Sequence, residues 1–121
     1  MRRLAVVVVV LGLLAMAASA AAQRRPTSEE RAAIAKRFDV PAKCLRIRVS
    51  TVDERWARMN FKGRKFEDPD CAPHAADGIV VLRHKRGKWR FVTAGSSFDC
   101  PVPETPPEVA EDLRIPCDEQ M

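Results

Sequence analysis

Polar and apolar positions change their period several times along the chain, and each change marks an element. Residues 4–22 carry no charge and run from Val and Leu into Ala and Ser, behind Arg2 and Arg3. A basic start, an apolar middle and a small-residue end form the layout of a secretory signal peptide. It closes on two small-x-small sites, Ala18-Ser19-Ala20 and Ala20-Ala21-Ala22, and cleavage is expected after Ala22. An uncleaved anchor is the alternative, because nineteen uncharged residues approach the roughly twenty that span a bilayer. Dilution of the second half by Ala and Ser favours cleavage, and the absence of a cysteine at its end argues against a lipid anchor.

Beyond a polar lead, Thr27-Ser28-Glu29-Glu30 has the spacing of a capping box and opens a helix with Ile34 and Phe38 one turn apart. Pro41 is expected to stop it, since the residue before a proline avoids the helical region. From Cys44 the period becomes two. Leu45, Ile47 and Val49 alternate with Arg46, Arg48 and Ser50, and after a reversal at residues 53–55 Ala57, Met59 and Phe61 alternate with Trp56, Arg58 and Asn60. That is a hairpin of half-buried strands. Residues 62–77 mix Gly, Pro and charge and read as a long loop tied down by Cys71.

Residues 78–95 hold two β-rich runs around Lys85-Arg86-Gly87-Lys88, where Gly87 supplies the positive φ of a tight hairpin. Pairing His84 with Trp89 sets Leu82 opposite Phe91 and Val80 opposite Thr93, and leaves Val81, Arg83, Arg90 and Val92 on the other face. Past Cys100 the chain turns Pro-rich and acidic. Thr105-Pro106-Pro107-Glu108 repeats the capping-box spacing ahead of Val109 and Leu113, and Pro116 ends the short helix. The order predicts an α+β fold, with the N-terminal helix packed on the apolar face of a four-stranded, mainly antiparallel sheet and a short C-terminal helix.

Removal of residues 1–22 leaves 99 residues, expected to form a single secreted domain (23–121), with nineteen basic residues against sixteen acidic ones and a net charge of +3. The signs are segregated. Residues 43–65 hold eight bases against Asp53 and Glu54, while residues 99–121 hold seven acids against Arg114. Export, modest net charge and the acidic tail argue against nucleic acid as partner. No cofactor and no membrane attachment after cleavage are expected, and the chain reads as a monomer.

Cys44, Cys71, Cys100 and Cys117 read as a disulfide framework in an exported chain. Four cysteines allow three pairings, among which sequence does not choose rigorously. The expected one is Cys44 with Cys71 and Cys100 with Cys117, since each closes a modest loop around a Pro-rich or irregular segment. Cys71-x-x-His74, with Asp68, Asp70 and Asp77 nearby, lacks the second ligand pair of a zinc site and the alternating ligands of a calcium loop.

Two constellations bear on function. Gly95-Ser96-Ser97 lacks the flanking glycines of a nucleophile elbow, so Ser96 and Ser97 read as turn hydroxyls and the chain as non-catalytic. Strand alternation, by contrast, gathers Arg46, Arg48, Trp56, Arg58, Arg83 and Arg90 on the face away from the helix. Arginine forks beside an aromatic ring grip phosphate, sulfate or carboxylate; the competing reading is a wet sheet face with arginine stems shielding the tryptophan.

The stretches VSTVDERWA at 49–57 and GKWRFVTAGSS at 87–97, with the two cysteines around the Pro-rich tail, resemble small secreted disulfide-containing proteins of high-GC actinobacteria, most without assigned activity. The resemblance implies no active-site residue. In element order the chain is also similar in outline to cystatin-like and NTF2-like folds. The function expected is an exported, disulfide-stapled binding module for an anionic cell-envelope or extracellular component. The alternatives are a small hydrolase using Ser96 or Ser97 with His84, and an inhibitor of another protein presenting the 85–88 hairpin tip.

Overall fold

The computed structural model describes residues 23–61, 68–74 and 76–117. The expected signal segment, and residues 62–67 and 75 of the expected loop, lie outside the described residues. The α+β architecture is formed. It comprises α1 (Ser28–Phe38), β1 (Leu45–Val49), β2 (Trp56–Phe61), β3 (Ile79–Lys85), β4 (Lys88–Gly95) and α2 (Pro107–Asp112). The strands make one antiparallel sheet in the order β1-β2-β3-β4.

The capping box starts α1 as its spacing predicts. Thr27 Oγ1 accepts from Glu30 N at 3.1 Å, and Glu30 Oε1 accepts from Thr27 N at 2.8 Å. The helix ends before Pro41 can act. Asp39 adopts φ 55° and its N–H donates back to Ala35 and Lys36, a left-handed stop that a short polar side chain tolerates.

Ile34 and Ala35 of α1 bury themselves with Leu45, Ile47, Val49, Ala57, Met59, Leu82 and Trp89, as the alternation predicts. Phe91 departs from it. Expected under the helix, it is 58% exposed, because the narrow stripe of α1 covers Trp89 and stops short of Phe91 on the outer strand. The hairpin turn has positive φ at both Arg86 and Gly87, as a two-residue type I′ connection requires. Leu82 faces Phe91 as expected, but Val81 then faces Thr93 and Val80 faces Ala94. Val92 is the extra residue of a bulge, which a continuous alternation of residue types does not reveal. Gly78 enters β3 at φ 102°, where a Cβ would lie 2.9 Å from the Gly95 carbonyl oxygen; the backbones meet too closely for a side chain.

The largest departure concerns the second face of the sheet. It is not wet across its width. Trp56 and Val81 are buried there with Phe98, Val102, Val109, Ala110, Leu113 and Ile115, and Ile79 and Val92 pack against them. The tail and α2 thus form a third layer. The second capping box is not made: Pro106 is the N-cap with no side-chain bond, and Thr105 Oγ1 donates instead to Pro103 O at 3.0 Å. Pro107 has no N–H to cap, so the first turn exposes fewer donors.

Both expected disulfides are present, Cys44–Cys71 with Cα atoms 5.3 Å apart and Cys100–Cys117 with Cα atoms 5.6 Å apart. Loops of these lengths stabilise by about 3 kcal/mol each in the chain-entropy model. The first ties the 68–74 segment to the start of β1, and the second ties the tail to the chain leaving β4. No helix among the described residues is long and apolar enough to cross a membrane.

Candidate anion-binding face

The six residues expected to share one face do lie on the sheet's second side, but the third layer divides them. Trp56 is 3% exposed, closed over by the tail and by Arg83, whose guanidinium carbon stands 5.3 Å from the indole centroid. It is a core residue with an arginine lid. Arg83 pairs across the strands with exposed Arg90, at the hairpin end of the face. Arg46, Arg48 and Arg58 remain together at the β1–β2 end.

These three are positioned by the sheet register. Arg48 lies directly opposite Arg58, and Arg46 opposite Asn60. Like charges directly opposed across strands destabilise a sheet, so this pairing is one that folding alone disfavours. Arg58 is fixed further by α2: its Nη1 donates to Leu113 O at 2.9 Å and Arg114 O at 3.1 Å. Those carbonyls close a helix end and have no helical N–H to accept from. The Arg58 Nε is buried without a hydrogen-bond partner among the described residues.

The same contact brings in a fourth cation. Arg114, held at φ 55° just past α2, is exposed beside the other three. Burial pushes the Arg58 guanidinium below its ordinary pKa, and the charges of Arg48, Arg114 and Arg46 push it in the same direction. None of the four makes an ion pair among the described residues, whereas Arg24, Lys43 and Arg55 all find carboxylates. The result is a corner of four uncompensated arginines.

Sequence reading missed Arg114 because it treated the tail as an acidic appendage. One signal was available: Val81, Val92 and Trp56 on a face read as wet demand an apolar cover, and Val109 and Leu113 are the stripe that supplies it. Placing that stripe on the sheet carries Arg114 to Arg58.

The other constellations are also placed. Gly95 lies opposite Ile79, and His84 is five residues farther along β3, so Ser96 and His84 are about 17 Å apart at the usual strand rise. That separation is several times the reach of a hydrogen bond. Ser96 and Ser97 lead instead into Phe98, which is buried and whose N–H donates to Pro116 O at 3.1 Å. Near Cys71, the ammonium of Lys43 sits between Asp68 at 3.2 Å and Asp70 at 2.7 Å, while the Cys71 sulfur is held by Cys44. Comparison with family models, curated proteins and solved structures finds no match to this chain.

Proposed function

We propose that this protein is an exported, non-catalytic binding module that holds an anionic polymer of the cell envelope or extracellular space through Arg46, Arg48, Arg58 and Arg114. The observation that carries the reading is the directly opposed Arg48–Arg58 pair, joined by two further arginines and by no carboxylate among the described residues. A phosphate, sulfate or carboxylate seated between the forks relieves that repulsion with charge-assisted hydrogen bonds. Two disulfides support export, since such bonds persist in oxidising compartments. Loss of residues 1–22 as a signal, action as a monomer and kinship with the small actinobacterial proteins belong to the same proposal.

Two variants of equal charge test it. Arg46→Gln/Arg48→Gln/Arg114→Gln empties the corner but spares Arg58, which the fold uses; Lys85→Gln/Arg86→Gln/Lys88→Gln neutralises the hairpin tip. On immobilised polyphosphate and on isolated cell envelope, the corner variant is expected to elute at lower salt, with a salt slope reduced by about two to three counterions. The tip variant should behave as the parent. Equal losses from both variants, or a greater loss from the tip, overturn the corner as the site; a loss confined to the tip would favour the hairpin-presenting inhibitor.

A further inference from the structure

A four-stranded sheet has two outer edges, and here they are treated differently. On β1, Arg24 and Val49 exchange backbone hydrogen bonds, each N–H donating to the other's carbonyl at 2.8 Å. β4 pairs with β3 alone among the described residues, and it is eight residues long without a proline. An edge of that kind presents a row of unpaired N–H and C=O groups.

The register decides which groups face outward. The two-residue turn makes Lys85 and Lys88 a hydrogen-bonded pair, and bonded and non-bonded pairs alternate from there. Trp89 and Phe91 therefore turn their N–H and C=O away from β3. The Trp89 carbonyl agrees, since it accepts from Arg37 Nε at 3.2 Å. Past the bulge, Ala94 is the next outward residue, opposite Val80. No hydrogen bond among the described residues reaches the outward groups of Phe91 or Ala94.

The side chains beside this edge are open as well. Phe91 is 58% exposed, and Lys88, Arg90 and Ala94 are exposed. β4 carries those two bases and no acid, Arg37 adds a third, and none of the three makes an ion pair among the described residues. A single carboxylate, Glu104, lines the shallow hollow beside Arg90, together with Arg83 and Lys85. Bases on an edge strand guard it against pairing with its own kind. A second copy would bring the same bases to the contact, whereas an acidic strand neutralises them.

We propose that β4 receives an extended acidic segment of another protein as a fifth strand of the sheet, with acidic side chains beside Lys88 and Arg90 and an apolar one against Phe91. Main-chain hydrogen bonds to Phe91 and Ala94 hold the segment, and its alternation of acidic and apolar positions selects it. The edge shares no residue with the arginine corner, so the two readings stand or fall separately.

Backbone amide exchange reads the new bonds directly. In a titration of the folded protein with an end-blocked heptapeptide of alternating glutamate and valine, exchange at Phe91 N and Ala94 N is expected to slow saturably, by about tenfold, while Val49 N, already bonded to Arg24, keeps its rate. A peptide of the same composition with its glutamates in one block should bind about fivefold more weakly. Phe91→Ser, which gives up an exposed ring, should weaken binding by about two- to fivefold, and Lys88→Gln/Arg90→Gln by about three- to tenfold. Arg46→Gln/Arg48→Gln/Arg114→Gln should bind the peptide as the parent does. Unslowed exchange at Phe91 and Ala94 overturns the edge as a site, as does a loss in the corner variant equal to that in Lys88→Gln/Arg90→Gln. Equal binding of the blocked peptide overturns the class of segment, and protection that grows with protein concentration before peptide is added makes the occupant a second copy instead.

Discussion

Glu30 shows how much one side chain near the N-terminus of α1 is asked to do. It accepts from Thr27 N in the capping box, and its two oxygens accept from Arg24 Nη1 at 2.8 Å and Nη2 at 2.9 Å. Arg24 is itself paired through its backbone to Val49, each N–H donating to the other's carbonyl at 2.8 Å, so Glu30 ties the helix start to the outer edge of β1. The Arg24 guanidinium holds the Glu30 carboxyl below its ordinary pKa of 4.5, against an opposing push from burial, and the Thr27 N–H adds to the lowering. A carboxyl whose folded pKa lies below the unfolded one contributes stability that is complete above the unfolded value and disappears as pH falls through the folded value. Acid unfolding below about pH 4.5 should therefore include Glu30. Glu30→Gln keeps a side-chain acceptor for Thr27 N but removes the ion pair with Arg24, and is expected to lower stability at neutral pH by about 1 kcal/mol and to flatten the acid limb of a urea-unfolding series. An acid limb as steep as the parent's would remove Glu30 from this role. The cap was legible because its residues are adjacent in sequence; the Arg24 link was not, because it depends on the lead strand reaching β1.

At the scale of elements, α2 decides what the second face of the sheet is for. It is six residues long and too short to be stable alone. Packing holds it, through Val109, Ala110 and Leu113 against Trp56 and Val81, together with two polar ties. Asp112 Oδ2 accepts from Ser50 Oγ and Thr51 N, both at 2.8 Å, and buried Ser50 Oγ in turn accepts from Val52 N and Asp53 N at 3.1 Å. The turn between β1 and β2 is thus built around the end of α2. Arg58 supplies the second tie. Leu113→Ala removes the fully buried residue at the junction and should cost about 2–5 kcal/mol, with a red shift of Trp56 fluorescence as the tail loosens. Unchanged fluorescence in a destabilised variant would mean that Trp56 is covered by Arg83 and the sheet rather than by the tail. Although the cap expected for α2 is not made, the strands and α1 were readable from local period and cap, and α2 from its apolar stripe and flanking prolines. The layer order was not, because nothing local in the tail says which face of the sheet it crosses. The bulge at Val92 was hidden for a similar reason: it conserves the composition of the strand and changes only the register.

Over the whole molecule, charge segregation in the sequence becomes a division between surfaces. The tail lays its apolar residues on the sheet and delivers one arginine, Arg114, to three others, so an acidic segment completes a basic corner. Of the six residues that alternation gathered, three stay at that corner, Trp56 is buried beneath the tail, and Arg83 and Arg90 pair toward the hairpin end. Alternation identified the face correctly; only the tertiary cover divides it.

Arg58 and Arg83 allow the central claim to be measured inside one molecule. Both have a buried Nε without a hydrogen-bond partner among the described residues, and only Arg58 belongs to the corner. In a titration of the folded protein with inorganic pyrophosphate, arginine side-chain NMR is predicted to show saturable shifts at Arg58 and Arg48 with Arg83 unmoved. Shifts of equal size at Arg58 and Arg83, or none at either, would contradict an anion site at the corner.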